Sequence, residues 1–371
     1  MISHEIPFMN LKEQTDLLLP EIAAVLDMVC RSTDFTGGTY VDQFEKEFAD
    51  FLGAPFFAGV SSGSDALFLS LKALGIGPGD EVILPANTFI ATAFAPMRLG
   101  AVPVFADCDP LTWQIDPLSV EQKIGPKTRA VIGVHLYGQA FPVDELRRLA
   151  ADAGLKLLED CAQAQGTLYR GRRAGTLSDA GCFSFYPSKN LGAYGQAGGI
   201  SSADAQVDRL IRIMRSQGEN GKYRHEMTGY NMRLDAIQAA VLSVKLPYLA
   251  GWNERRTQIV RRYREEIHNP ALRFQAELEH TQPAWYLAVV CVDDRDHFLA
   301  FMEERHIHCG IHYPVPCHLQ PAVKDLGYHA GDLPCAEYQA SHCVSLPLYP
   351  ELPDQDIGFI IDVCNTYKKS M

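Results

Sequence analysis

Residues 130–163 read AVIGVHLYGQAFPVDELRRLAADAGLKLLEDCAQ, and this stretch decides the fold class. The apolar run over residues 130–134 has the length of a buried strand, and residues 143–153 follow with the apolar spacing of an amphipathic helix. A second apolar run covers residues 155–158 and leads into two acidic residues. A strand, a helix and a second strand in this order predict a βαβ unit with parallel strands, and therefore an α/β domain.

The same alternation extends on both sides, from about residue 55 to residue 245. It predicts helices over residues 64–74 and 91–99, and strands over residues 81–84, 102–106, 181–185 and 198–202. We therefore expect a large domain with a mostly parallel sheet over residues 21–245. Residues 235–267 predict one long helix, or two in tandem with Pro247 as the break. Mixed patterns beyond it predict a smaller α+β domain over residues 246–371, against which residues 1–20 pack.

Polar and aromatic side chains follow the predicted strands at the points where they end. They are Asn87, Thr88 and Phe89 after the first strand, then Asp107, His135, Glu159 and Asp160 after the next three. Ligands in open α/β sheets bind outside the carboxyl ends of the strands. The sequence therefore predicts one shared ligand site at this edge.

The composition and the net charge argue against several classes of binding partner and location. The 371 residues carry a net charge of −12, which disfavours nucleic acid or an anionic membrane as the main partner. No stretch approaches the roughly 20 uninterrupted apolar residues of a membrane span. Residues 1–5 lack the basic start of a signal peptide, and ten cysteines are scattered without a CxxC pair. We expect a cytoplasmic protein with reduced thiols.

Three short motifs could carry chemistry. Ser62-Gly63-Ser64-Asp65 begins a predicted helix and leaves backbone N–H groups free for a phosphate, although a plain helix cap is the alternative. Asp160 ends a buried strand, where a carboxylate needs a positive partner such as a protonated pyridine nitrogen, a salt bridge or a cap. Lys189 lies in an aromatic-rich and glycine-rich turn, where a partly desolvated amine can form an imine, and Ser184 precedes it as a candidate phosphate ligand. A lone lysine, however, is usually a solvated surface residue.

Two further segments contain polar clusters. Residues 229–235 read GYNMRLD before the predicted long helix, which also fits a loop followed by an Asp235 cap. Residues 306–318 contain four histidines and two cysteines, but their spacing matches no zinc signature. We therefore expect no metal.

Nine motifs in register resemble the DegT/DnrJ/EryC1/StrS family of sugar aminotransferases, along nearly the whole chain. They are FMNLK at 8–12, FEKEFA at 44–49, VSSGSDAL at 60–67, GDEVILP at 79–85, NTFIAT at 87–92, VHLYGQ at 134–139, and the motifs around Asp160, Lys189 and Asn231. The chain departs from the usual pattern at residues 196–199, which read QAGG where DGGA is common, and at Ser188, where Thr is common.

The resemblance implies the fold-type I architecture of pyridoxal 5′-phosphate (PLP) enzymes, with PLP as cofactor. It implies that Lys189 forms an imine with the cofactor aldehyde and then moves the proton, and that Asp160 pairs with the pyridine nitrogen. The cofactor contacts that it implies are Ser62, Gly63, Ser64, Phe89, Asp160, Gln163, Ser184 and Lys189, together with Asn231 reaching from the other subunit of a homodimer.

The subgroup most similar to this chain aminates C3 of dTDP-3-keto-6-deoxyhexoses, with glutamate as the amino donor. The substrate contacts that it implies are Tyr186, Lys222, Tyr223, Arg224, His225, His312, Tyr313 and His318. A UDP-linked 3-keto sugar, a 4-keto sugar and a non-catalytic PLP-binding regulator are the alternatives. A PLP-dependent sugar dehydratase is disfavoured, because that relative carries His in place of the imine-forming lysine, whereas this chain has Lys189.

Overall fold

A computed structural model describes residues 4–368 of the chain. Its helices are α1 (Leu11–Ser32), α2 (Thr39–Leu52), α3 (Gly63–Ala73), α4 (Ala91–Arg98), α5 (Pro117–Lys123), α6 (Val143–Ala153), α7 (Ala205–Arg215), α8 (Ala236–Lys245), α9 (Leu249–Glu266), α10 (Arg295–Glu303), α11 (Pro334–His342) and α12 (Asp354–Thr366). Its strands are β1 (Phe56–Val60), β2 (Glu81–Pro85), β3 (Val102–Ala106), β4 (Thr128–Val134), β5 (Lys156–Asp160), β6 (Leu168–Tyr169), β7 (Arg172–Arg173), β8 (Ala180–Ser184), β9 (Gly198–Ser202), β10 (Leu272–Phe274), β11 (Thr281–Gln282), β12 (Ala288–Val292) and β13 (Cys343–Leu346).

Seven strands form the main sheet in the order β1-β9-β8-β5-β4-β2-β3. The five strands from β8 to β3 are parallel to one another, and β9 is antiparallel to both β8 and β1. β4 and β5 are buried along almost their whole length, because helices cover both faces of the sheet. The predicted α/β class with a mostly parallel sheet is confirmed.

The sequence patterns missed the two N-terminal helices and β1. Helix α1 buries Leu18, Ile22 and Val29 but leaves Leu17 73% exposed, with Leu19 and Met28 also exposed. Apolar residues on both faces hide the 3.6-residue period on which the prediction of a helix depends. In the fold, α1 packs against α8 through Leu18 and Ile22.

A second, three-stranded sheet is built from the C-terminal third of the chain. Its order is β10-β12-β13, and all of its pairs are antiparallel. Ile6 joins the hydrophobic core under this sheet, and its backbone N–H donates to the carbonyl of His306 (2.8 Å). Helix α1 runs through residues 20 and 21 without a break. The division into residues 21–245 and 246–371 stays a prediction.

The break predicted at Pro247 separates two helices. α8 ends at Lys245, a 3-10 turn covers Leu246–Tyr248, and α9 begins at Leu249. Among residues 4–368, no helix is both long enough and apolar enough to cross a membrane. The carboxyl ends of β4, β5 and β8 lie side by side, so Val134, Asp160 and Ser184 bring their following loops to one edge of the sheet.

Candidate active site

Asp160 is the buried acid at the end of β5. Its Oδ2 accepts a hydrogen bond from the hydroxyl of Thr92 (2.9 Å), and its Oδ1 accepts from the backbone N–H of Ala162 (3.1 Å). Burial raises the pKa of the Asp160 carboxyl above its ordinary value, and these two donors act in the opposite direction. Across the residues that the structure describes, no cation forms an ion pair with Asp160. The carboxylate is therefore well suited to a cationic group of a ligand.

Lys189 lies in the turn that follows β8. Its backbone N–H donates to the carbonyl of Tyr186 (2.8 Å), which closes the turn. Its Nζ lies 4.1 Å from the centre of the Tyr286 ring. The next residue, Asn190, ties the turn to two other segments of the chain, because its amide donates to Asn253 Oδ1 and to the carbonyl of Ala284, both at 2.8 Å. The turn thus holds a lysine amine over an aromatic face, next to the edge where β5 ends.

The start of α3 lies against Ser184. A methyl group added to Gly63 would come within 2.7 Å of the Ser184 Cβ, so this close approach requires a glycine. Ser62 is the helix cap, because its hydroxyl accepts from the backbone N–H of Asp65 (3.1 Å). The first N–H groups of an α-helix have no acceptor within the helix, and here they face the edge that carries Ser184. Ser64 is exposed beside them.

We call the start of α3 (Ser62–Ser64) together with Ser184 the phosphate cradle. Gly198, the first residue of β9, packs closely against it. We expect Gly198→Ala to disturb it, since the new methyl group would lie 2.4 Å from the backbone carbon and oxygen of Ser62. Overpacking against a backbone typically costs about 1–3 kcal/mol, and we expect weaker binding of PLP as α3 shifts. Cofactor dissociation and thermal unfolding measure the two effects. Gly77→Ala is the matched control, because apart from its chain neighbours no atom of residues 4–368 lies within 4 Å of its added methyl group. Equal PLP affinity in both variants contradicts the prediction.

Opposite the cradle, Gln163, Tyr313 and His312 form a connected wall. The backbone N–H of Tyr137 donates to Gln163 Oε1 (2.6 Å), and Gln163 Nε2 donates to the Tyr313 hydroxyl (3.2 Å). The Tyr137 hydroxyl donates to the carbonyl of His312. Phe89 closes one end, 53% exposed, with its ring centre 5.5 Å from that of Tyr313. An exposed aromatic ring at this place can cover one face of a flat ligand.

His312 is kept neutral by its surroundings. Burial lowers the pKa of its imidazole to about 4, and the positive charge of Lys189 acts in the same direction. A hydrogen bond joins its Nδ1 to the Ser345 hydroxyl (2.9 Å), and its ring stacks on Phe8. Near neutral pH the group beside Lys189 is therefore an uncharged imidazole.

The structure does not bring every predicted site residue to this edge. His318 is fully buried, and its Nε2 hydrogen-bonds Glu337 Oε1 (3.1 Å). Lys222, Tyr223, Arg224 and His225 lie on an exposed hairpin, where Tyr223 is 82% exposed. Within residues 4–368 of one chain, these four side chains form no hydrogen bond, ion pair or ring contact with Lys189 or Asp160. Asn231 is exposed, and Tyr186 is exposed next to the lysine turn.

Two strand-end residues of the predicted cluster serve other elements. Asp107 caps α11, because its carboxylate accepts from the backbone N–H groups of Cys335 (3.0 Å) and Ala336 (2.8 Å). Glu159 faces away from Asp160, as neighbouring strand residues do, and pairs with His135 (2.9 Å).

His135, Glu159 and Cys161 form a buried group of metal-ligand type, with ligand atoms within 4.8 Å of one another. Both carboxylate oxygens of Glu159 also accept backbone N–H groups, from Gly175 (2.7 Å) and Leu177 (2.8 Å). Burial raises the pKa of the Cys161 thiol well above its ordinary value. The group has the features of an internal polar network.

Sequence patterns alone missed three residues that shape the site. Thr92 and Tyr137 lie inside family motifs, so the motifs signalled them without assigning a role. Tyr286 had no signal, because it lies far along the chain, two residues before β12. Thr92 hydrogen-bonds Asp160, Tyr137 hydrogen-bonds Gln163, and the ring of Tyr286 lies under the amine of Lys189.

The residues present fit PLP. The start of α3 at Gly63, which packs closely against Ser184, suits the PLP phosphate. The buried carboxylate of Asp160 suits its ring nitrogen, and the amine of Lys189 suits its aldehyde. The bound cofactor supplies the electron sink that amino-group transfer requires. With the cofactor bound, Phe89 and the Gln163 wall would border its ring, and the amine of Lys189 would be the group placed to accept or donate the proton.

The fold and the site define a PLP-dependent transferase of fold type I, as the sequence predicted. The chain belongs to the DegT/DnrJ/EryC1/StrS aminotransferase family, whose model matches residues 18–365. This family is PLP-dependent. Both the predicted family and the predicted cofactor are confirmed.

Similar proteins span nearly the whole chain. It is 41% identical to a dTDP-3-amino-3,4,6-trideoxy-alpha-D-glucose transaminase of Streptomyces venezuelae, with 96% of this chain and 94% of that protein covered. It is 42% identical to a "pleiotropic regulatory protein" of Geobacillus stearothermophilus, with 96% and 97% covered. The solved structure of S. venezuelae DesV superposes with a TM-score of 0.96 at 40% identity and covers 98% of both chains.

Proposed function

We propose that this protein transfers an amino group from glutamate to C3 of a dTDP-linked 3-keto-6-deoxyhexose. The observation that carries the proposal is the convergence of Lys189, the buried carboxylate of Asp160 and the Ser184 cradle at one edge of the sheet. The sugar and the nucleotide follow from the names of relatives that share about 40% of their residues with this chain.

Each predicted cofactor contact has a role in this proposal. Lys189 binds the cofactor aldehyde and moves the proton, and Asp160 pairs with the ring nitrogen. Phe89 covers one face of the ring, and Gln163 borders the ring near the wall that it forms with Tyr313. The phosphate is held by Gly63, Ser64 and Ser184, with Ser62 capping the helix at that point and with Asn231 of the other subunit reaching the same phosphate across the interface.

The substrate side of the proposal needs a second subunit. The hairpin with Lys222, Tyr223, Arg224 and His225 is pinned to its own chain, because Arg209 pairs with Glu226 at its base (2.7 Å). Its tip and Asn231 face solvent. In a homodimer these groups can reach the partner's site, where the two cations would meet the diphosphate. The exposed apolar side chains of α1 are the surface that such a dimer would bury.

Tyr186, His312 and Tyr313 are the substrate contacts that lie beside Lys189 in its own chain, and the buried His318 would act only through its neighbours. We also propose a cytoplasmic location. All ten cysteines are free thiols, the state that a reducing compartment maintains.

The substrate prediction is tested with the purified holoenzyme. Glutamate is expected to remove the visible absorption of the bound cofactor, and a dTDP-3-keto-6-deoxyhexose is expected to restore it, with the aminated sugar found by mass spectrometry. UDP-linked 3-keto and dTDP-linked 4-keto sugars are run in parallel. Equal rates with free sugars or small keto acids contradict a nucleotide-sugar enzyme. A colour that no amino acid changes supports the regulator alternative, to which the name of one relative points.

The shared site is tested by mixing two inactive variants, Lys189→Ala and Asn231→Ala. If Asn231 serves the partner's site, a mixed dimer has one site with both lesions and one with neither. Random exchange makes about half of the dimers mixed, so about a quarter of all sites become wild type. We expect activity at limiting PLP to recover to that level after co-refolding.

The control is the same mixing with Lys189→Ala and exposed Asn220→Ala. Mixed dimers must be confirmed with differential tags. If they form and no activity returns, Asn231 does not act across the interface.

A further inference from the structure

A second cleft opens between the loop after β3, the edge strand β10 and helix α11. It has a volume of about 720 Å³ and is lined by Trp113, Arg273, Phe274, Gln275, Tyr338 and Gln339, among others. Clefts of roughly 300–1,000 Å³ with apolar walls and a few polar groups commonly bind small molecules.

Gln275 is the unusual residue of this cleft. It is only 3% exposed, and within residues 4–368 neither the oxygen nor the nitrogen of its side-chain amide has a hydrogen-bond partner. Its backbone is tied down, because Arg264 donates to its carbonyl (2.8 Å) and the next residue, Ala276, donates to the carbonyl of Leu111 (2.8 Å). Buried amides are rarely left unpaired in folded proteins, since each unmade bond carries the full cost of desolvation. A ligand in the cleft would supply the missing partners.

The cleft is separate from the candidate active site. Gln339 lies between them and uses both ends of its amide, since it accepts from Asn87 (2.5 Å) and donates to the Tyr137 hydroxyl (2.9 Å). Trp113 also belongs to this layer, because Asn87 donates to its carbonyl (2.9 Å). Tyr137 in turn holds the carbonyl of His312. Of the two glutamine side chains that line the cleft, Gln275 is therefore the one whose amide is left without partners among the described residues.

The other walls indicate the chemistry of that ligand. Trp113, Phe274 and Tyr338 supply aromatic surface. Arg273 adds a guanidinium at the exposed side, where it donates to the Tyr338 hydroxyl and lies 5.2 Å from the centre of that ring. The same hydroxyl donates to Asp293 (3.1 Å), so a carboxylate lies on the far side of Tyr338. Aromatic walls, a cation and an amide suit a flat, hydrogen-bonding ring that carries a negative group.

We propose that this cleft binds a mononucleotide. The base pairs its adjacent donor and acceptor with the amide of Gln275, and the phosphate meets Arg273. The proposal does not depend on which sugar is aminated, because none of these residues belongs to the catalytic site.

The test uses dTMP and the two cysteines that report on position. Cys335 lines the cleft and is partly exposed, whereas Cys30 is exposed on α1. In the wild-type holoenzyme, dTMP is expected to slow alkylation of Cys335 by iodoacetamide, measured by mass spectrometry, and to leave Cys30 unchanged. Thymidine, which lacks the phosphate, is expected to protect less. Equal alkylation of Cys335 with and without dTMP overturns the proposal.

Two variants link the protection to the proposed contacts. Gln275→Leu and Arg273→Gln are each expected to raise the dTMP concentration needed for half-protection about tenfold, the effect of losing one or two hydrogen bonds. Gln258→Leu, at an exposed position on α9, is the matched control and should protect as wild type does. If Gln275→Leu does not fold, the half-protection concentration of the Arg273→Gln variant, whose substitution is at an exposed position, still tests the proposal. Unchanged half-protection in the folded variants overturns the proposal, whereas failure of the aminotransferase assay leaves this readout intact.

Discussion

Replacing Lys189 with alanine is expected to abolish turnover and to leave the fold intact. The side chain lies at the surface of a turn that its backbone and Asn190 hold closed, so its removal leaves no buried cavity. The amine is the group that bonds to the cofactor and carries the proton, and no neighbouring side chain can replace a covalent bond. PLP is still expected to bind through its phosphate. Stopped assays over hours, with PLP content measured in parallel, give the result.

A second lysine, Lys245, is an alternative candidate for the amine that bonds to the cofactor. Lys245 is buried, burial lowers the pKa of its amine to about 8, and its Nζ donates to the carbonyl of Gly192 (2.6 Å) in the lysine turn. Such an amine is nucleophilic near neutral pH, but its hydrogen bond and the rings of Tyr194 and Trp252 enclose it. Borohydride reduction of the yellow holoenzyme is expected to fix the cofactor on the peptide with Lys189. Label on the Lys245 peptide, or activity in Lys189→Ala, would disprove the assignment. Exposed Lys127→Ala serves as the unaffected control.

The second large effect is expected at Asp160. Asp160→Asn keeps the shape of the side chain, and its amide can still accept from the Ala162 N–H while its NH2 donates to the Thr92 hydroxyl, so that the direction of the Thr92 bond is reversed. It removes the negative charge that we place beside the ring nitrogen. Without that charge the nitrogen loses its proton, and the ring is a weaker electron sink. We expect a loss of several kcal/mol of transition-state stabilisation, on the order of 10³-fold or more in rate, with cofactor binding largely retained. Single-turnover kinetics with glutamate isolate this step.

Two controls separate charge from position at Asp160. Thr92→Val removes the hydroxyl that donates to Asp160 Oδ2 while the charge stays, so its loss should be well below that of Asp160→Asn. Asp152→Asn removes an exposed aspartate that pairs with Arg148 at the surface, and it should behave as wild type. A loss below tenfold for Asp160→Asn would mean that another group supplies the charge.

Local patterns were sufficient for most of the α/β domain. The predicted strands at residues 102–106 and 198–202 match β3 and β9 residue for residue, and helix α6 was predicted with its observed bounds. Each buried strand is a continuous run of mostly apolar residues, and the helix has apolar residues along one face, so both patterns can be recognised in the sequence. Helix α1 was missed for the reverse reason, because its apolar residues are not confined to one face.

The sequence signalled the positions of the candidate site residues to differing extents. Asp160 and the Ser62–Ser64 segment were predicted because each lies at the end or the start of a regular element, and Lys189 because it lies in the turn that follows one. The placement of His318 and of the hairpin at residues 222–225 was not visible in the sequence, since burial and exposure there depend on Glu337, Arg209 and Glu226.

The sequence by itself determined the alternation of the main strands and helices from α3 to β9, the acid that ends β5 and the lysine turn that follows β8, because these depend on neighbours within a few residues. Only the tertiary structure decided that Tyr286 lies under Lys189, that Thr92 holds Asp160 and that Tyr137 joins Gln163 to His312. Those contacts join segments far apart in the chain. Their geometry is set by how helices pack on the sheet and how the second sheet closes on it, and no local period encodes that packing.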